Sequence, residues 1–110
     1  MIKVHEFIES NRRNAWLYYD DKEVYVRRGI HRHPGLACTL NCFDIANITV
    51  HEPGQGTFSR WFDALKPILQ AVGFDAIYIE NVCPRFADHL YRKGLYEART
   101  NYDVSFFHVF

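Results

Sequence analysis

Gly54-Gln55-Gly56, set between a β-branched run and an amphipathic stretch, is the segment of this chain best suited to hold an anion. Two glycines around one residue let the backbone turn tightly with its N–H groups directed at a phosphate, and the positive end of a following helix adds to the attraction. A plain strand-to-helix turn asks for glycine on the same grounds, so the motif takes its meaning from its flanks. A second cluster is basic: Arg27, Arg28, His31, Arg32 and His33, in a chain whose 13 Lys+Arg balance 13 Asp+Glu. Non-specific nucleic-acid affinity is built from many phosphate contacts, so a neutral chain argues against a general nucleic-acid binder. The plain reading of the cluster is a solvated hairpin end and loop; the functional one is a local patch in which Arg27, Arg28 and Arg32 meet an acidic or nucleic-acid partner. His31, His33, Cys38 and Cys42 are zinc-type donors. In an extended chain, however, Cys38 and Cys42 lie about 13 Å apart at ~3.3 Å per residue, too far to share one ion. No metal is expected; three cysteines without framework spacing read as packed thiols in a reducing compartment.

The elements that must position the glycine turn can be read from periodicity. Asp44 to Val50 has the β-branched enrichment of a largely buried strand, and His51 to Thr57 breaks it. Phe58, Trp61, Phe62, Leu65, Ile68, Leu69 and Val72 then form the apolar stripe of a helix laid on a sheet. Pro67 is expected to bend it near Lys66, and Gly73 to end it. Phe74 to Ile79 reads as a second strand, parallel to the first because a helix separates them. Their carboxyl ends then lie together. Pro84 opens a short helix with Phe86, Ala87, Leu90 and Tyr91 on its inner face and Gly94 as its stop. Leu95 to Phe110 returns as sheet, with a turn at Thr100 to Asp103. Ahead of this core, Val4 to Asn11 reads as a short helix. Ala15–Tyr19 and Glu23–Arg28 form a hairpin turned at Asp20-Asp21-Lys22, and Leu36–Phe43 leads into the main strand or adds one.

The segment Val50 to Leu95, read as Val-His-Glu-Pro-Gly-Gln-Gly-Thr-Phe, helix, strand, Glu-Asn-Val, helix, Leu-Tyr-Arg-Lys-Gly-Leu, resembles the acetyl-CoA-binding core of the GNAT N-acyltransferases. The resemblance implies an α+β fold: a mixed sheet with a splayed parallel strand pair and helices on both faces. It implies that Gly54, Gln55, Gly56 and Thr57 meet the CoA pyrophosphate, that Ile48 to Val50 line the acyl chain, and that Asn81 meets the pantetheine arm. It makes Tyr91 the acid that protonates the departing thiolate. Acetyl transfer to an amine also needs a proton acceptor. Glu80, directly after the second strand, is the first candidate, with Glu52 and His51 behind it; the plain role for Glu80 is a cap or ion-pair partner of the next helix. The turn departs from the family pattern. With Gly56 central, Pro53 stands where Arg or Gln is usual and Phe58 where a small residue is usual; with Gly54 central, His51 and Gly56 take those places.

Length and composition, 48% hydrophobic and 16% aromatic over 110 residues, agree with a single domain spanning 1–110, with helix plus hairpin over 1–43 and the CoA-binding core over 44–110. No apolar stretch has the length of a membrane span, and charges at Lys3, Glu6 and Glu9 interrupt the amino terminus, so a cytoplasmic protein is expected. The leading expectation is an acetyl-CoA-dependent N-acetyltransferase acting on a small-molecule or protein amine. Two other readings stay open: a non-catalytic interaction module of the same fold, and acyl transfer to a nucleic-acid base. An exposed sheet edge in so short a chain suits a homodimer.

Overall fold

The computed structural model describes residues 1–80, 82–100 and 103–110. Its elements run α1 (Ile2–Glu9), β1 (Asn14–Tyr18), β2 (Lys22–His33), β3 (Cys38–Val50), α2 (Thr57–Val72), β4 (Ala76–Ile79), α3 (Pro84–Arg92), β5 (Tyr96–Arg99) and β6 (Val104–Val109). The strands form one six-stranded sheet in the order β1-β2-β3-β4-β6-β5. Every pairing is antiparallel except β3 with β4, joined through α2. The α+β class and the mixed sheet are as expected. β2 is longer than expected, reaching His33, so the basic residues read as a hairpin end and loop lie inside a strand. α2 runs without interruption through Pro67.

Alternation decides what each strand buries. Val24 and Val26 of β2, Phe43 and Ile45 of β3, Ile77 and Ile79 of β4 and Phe106 of β6 share one core cluster with helix residues. Those are Val4 and Phe7 of α1, Phe58, Trp61, Phe62, Leu65 and Leu69 of α2, and Leu90 of α3. All three helices therefore cover the same face, which differs from the helices expected on both. The opposite face carries a smaller cluster, Leu40, Cys42, Ala76 and Phe107, and no helix residue joins it among the described residues. Burial and the nearby Asp44 charge push the Cys42 thiol up to about 12, so it is an inert packed thiol. No helix is long and apolar enough to cross a membrane among the described residues.

His108 of β6 lies edge-on to Phe62, and its pKa is lowered from 6.5 by burial and secondarily by Lys66, against an opposing pull from Asp63. The unfolded chain therefore takes up the proton before the folded one as pH falls. Stability that is full above pH 6.5 is lost as the pH drops through the folded value. Urea titrations of wild type and His108→Leu between about pH 7 and about pH 5 should show a shallower loss of stability in the variant. Equal slopes would show that His108 does not drive the loss.

Candidate functional site

The parallel pairing of β3 and β4 covers only Cys42–Ala76 to Ile45–Ile79. It closes with the Glu80 N–H donating to the Ile45 carbonyl at 3.2 Å. Beyond that bond β3 continues to Val50 against β2, whereas the chain after β4 turns toward β6, where the Val82 N–H donates to Val104 O at 2.9 Å. A bulge sharpens the parting: the β2–β3 register steps from Val26–Ile45 to Tyr25–Asn47, leaving Ala46 as the extra residue. The strands thus part at their carboxyl ends, the splayed parallel pair that the resemblance implies. The resulting cleft has a volume of 210 Å³, with Ile45, Ile48, Ile79 and Phe86 as apolar walls and Asn47 and Glu80 as polar ones. Cys83, which precedes α3, is exposed and also lines it.

A second hollow of 380 Å³ adjoins it, sharing Phe86 and bounded by Val50, Pro53, Gly54, Gly56 and Thr57. Gly54 and Gly56 have φ of +88° and +70°, in the left-handed region where a side chain is strained, so the turn needs both glycines. Gly56 is the N-cap of α2 and supplies no side-chain cap. The first helical bond is Arg60 N–H to Gly56 O at 3.1 Å, so the N–H groups of Thr57, Phe58 and Ser59 belong to the open helix end. The Arg60 guanidinium folds back and donates to the Gln55 carbonyl. A cation thus stands at the turn although the sequence lacks the usual Arg or Gln before the glycines. Its signal was the one-turn spacing from Gly56 to Arg60. Phe58 is buried, in the core against Phe62 and Phe86 as well as against the hollow.

Glu80 lines the cleft and its Oε2 accepts from Arg27 Nη2, an ion pair across the sheet rather than a helix cap. Arg27 Nε also lies 3.8 Å from Asp44 Oδ2. Arg28 faces the other way and donates to the Phe7, Ile8 and Ser10 carbonyls, tying β2 to the end of α1. Two of the three arginines expected in a partner-binding patch are therefore committed within the molecule, while Arg32 is exposed. His31 is bonded to Asp44, and His33 Nδ1 accepts from the Leu36 N–H at 3.1 Å, so the four residues weighed as zinc donors form no cluster among the described residues.

Tyr91 is not on the inner face of α3. Leu90 is fully buried there, whereas Tyr91 is 66% exposed and lines a third hollow with Ala87, Asp88, Arg99 and Val104. That hollow meets the cleft at Val82, which lines both. His51 and Glu52 are exposed beyond the end of β3, and Asn81 falls outside the described residues.

No family model and no curated protein matches the chain. Solved structures do. The KacTA–DNA complex aligns over 81% of this chain and 58% of that one, with a TM-score of 0.62 at 12% identity. A tyrosine-to-phenylalanine variant of the AtaT toxin, bound to the C-terminus of the antitoxin AtaR and to acetyl-CoA, aligns over the same shares with a TM-score of 0.61 at 10% identity. The fold is GNAT-like. The chain spans little more than half the length of either GNAT-fold neighbour.

Proposed function

We propose that this protein is an acetyl-CoA-dependent N-acetyltransferase acting on a primary amine. The observation that carries the reading is the parting of β3 and β4 beyond Ile45 and Ile79, beside a glycine turn at the head of α2. The strand edge exposed by the splay offers backbone groups to an amide-bearing arm, and the apolar walls suit an acyl thioester. Gly54, Gln55, Gly56 and Thr57 would hold the pyrophosphate through backbone N–H groups, with Arg60 adding the charge that the sequence motif lacks. The acetyl group would lie against Ile48, with Val50 toward the turn. Glu80 orients the acceptor at the mouth of the cleft, and Tyr91 protonates the thiolate from the adjoining hollow. The AtaT variant of the same fold holds acetyl-CoA, which supports the cofactor assignment. The DNA-bound and antitoxin-bound states of the neighbours support a protein or nucleic-acid partner in general terms.

Calorimetric titration with acetyl-CoA tests the reading. Wild type should bind at micromolar strength, and Arg60→Ala should bind about tenfold more weakly, the scale of one charge-assisted contact. Bound acetyl-CoA should also slow alkylation of Cys83 in the cleft while leaving Cys38 unchanged, since Cys38 lies at the far end of β3. Absence of binding by wild type would defeat the assignment. A non-catalytic interaction module would then be favoured, a reading that the outward-facing Tyr91 supports.

A further inference from the structure

The sheet face without helices carries a buried carboxylate that the cofactor reading does not use. Asp44, 1% exposed, accepts from His31 Nε2 at 3.0 Å to Oδ1 and 2.8 Å to Oδ2. Because an ionised carboxylate only accepts, the proton lies on Nε2 and Nδ1 is left as the basic nitrogen. Nδ1 has no hydrogen-bond partner among the described residues, and the side chain is 25% exposed. The ring is fixed from its other side by stacking on Tyr78 at 3.8 Å.

The chain makes room for this pair. A Cβ on Gly29 would stand 2.7 Å from His31 Nε2 and nearer still to Asp44 Oδ2, closer than real Cβ atoms come to anything. Gly29 is in mid-strand, with Arg27 and His31 two residues to either side, and is the one β2 position where the pair needs the absence of a side chain. Asp44 immediately precedes Ile45, the last residue paired with β4, and its register partner Tyr78 is two residues before Glu80. Tyr78, on which His31 packs, is two residues, about 7 Å along β4, from Glu80 at the mouth of the cleft, so a proton passing from there to His31 would be carried by bridging water. Arg27 spans that interval, reaching both Asp44 and Glu80.

We infer that His31, oriented by Asp44, is the proton acceptor for the incoming amine, which approaches from this open face. The inference rests on the acetyltransferase reading. The amine nitrogen attacks the thioester carbonyl carbon, forming the C–N bond. The resulting N-protonated adduct loses that proton through water to His31 Nδ1. The C–S bond then breaks with its electron pair on sulfur, and the thiolate takes the Tyr91 hydroxyl proton to leave as CoA, the exposed Tyr91 regaining a proton from solvent. His31 returns its proton to solvent at its exposed edge. Asp44 is a positioning residue, and Glu80, tied to Arg27, orients rather than deprotonates.

The test follows N-acetylation of aniline, an amine already neutral across the neutral pH range so that only the protein titrates, by thiol release across that range. Acetyl-CoA affinity is measured in parallel for wild type and His31→Gln. Glutamine can still donate to Asp44, so the sheet is kept, but it cannot take a proton. Turnover should fall about 10²-fold with acetyl-CoA affinity unchanged, and the acidic limb of the rate profile should vanish. Added imidazole should restore part of the rate to His31→Ala. If wild type binds acetyl-CoA and His31→Gln keeps its rate and profile, or wild type is no faster than the uncatalysed reaction, the base assignment is overturned while the cofactor site stands. If wild type does not bind acetyl-CoA, the acetyltransferase reading falls and takes this inference with it.

Discussion

Phe62→Ala should unfold most of the protein at room temperature or leave it within a few kcal/mol of doing so. The ring is wholly buried on the inner face of α2, stacked on Phe58 at 5.3 Å and met edge-on by His108 at 5.8 Å. Removing a buried phenylalanine costs about 3–5 kcal/mol in lost transfer and cavity terms, against a total of about 5–15 kcal/mol for a small domain. The loss is concentrated where function is also at stake. α2 is pinned to the sheet by Phe58, Phe62, Leu65 and Leu69, and the glycine turn and Arg60 sit at its head. Urea denaturation should show the midpoint falling sharply with little change in slope, and Phe62→Leu should retain most of the stability. A loss below ~1 kcal/mol in Phe62→Ala would mean that α2 is held by something other than this cluster.

What the sequence disclosed here was what one element can reveal about itself. The β-branched run before His51, the apolar stripe of α2 and the Gly73 stop each depend on local periodicity, and the β3-α2-β4-α3 order follows from them. What it concealed depends on partners far along the chain. Arg27 and His31 look like a solvated basic run until β3 is laid beside β2, bringing Asp44 into register with Arg27, and Glu80 is 53 residues away. Tyr91 illustrates how little error a helix tolerates: one position is about 100° of rotation, enough to separate the fully buried Leu90 from an outward tyrosine. Arg60 is silent in the motif, whose cation stands before the glycines, whereas one helical turn carries the Arg60 guanidinium back over them. The helices share one face because strand register brings the alternate residues Val24 and Val26, Phe43 and Ile45, Ile77 and Ile79, and Phe106 to the same side, a property of the assembled sheet.

Gly29→Ala supplies the sharpest disagreement between local propensity and assembled structure. By strand preference alone, replacing glycine in mid-strand should help, by roughly 0.5–1 kcal/mol, since alanine loses less freedom on folding. Gly29 does not need a left-handed backbone, so no strain opposes the change on that account. The opposition is spatial: the new methyl would occupy the position held by the Asp44 carboxylate and His31 Nε2. Asp44 cannot swing clear easily, because it is buried between β2 and β4 and bonded to His31. Displacing it forfeits the His31 bond and leaves a buried carboxylate poorly paired. With overpacking at about 1–3 kcal/mol and an unsatisfied buried group at about 1–3 kcal/mol, the net should be a destabilisation of about 2–4 kcal/mol. The cause can be isolated by a double-mutant cycle. In an Asp44→Ala background there is no carboxylate to displace, and the His31 ring, released from its partner, can turn away from the new methyl, so Gly29→Ala should become nearly neutral, with a coupling energy of at least ~1 kcal/mol. Additive effects would show that Gly29 is not kept for the carboxylate. A strong coupling would show that β2 gives up a side chain to hold one aspartate against one histidine, one residue short of where the sheet opens.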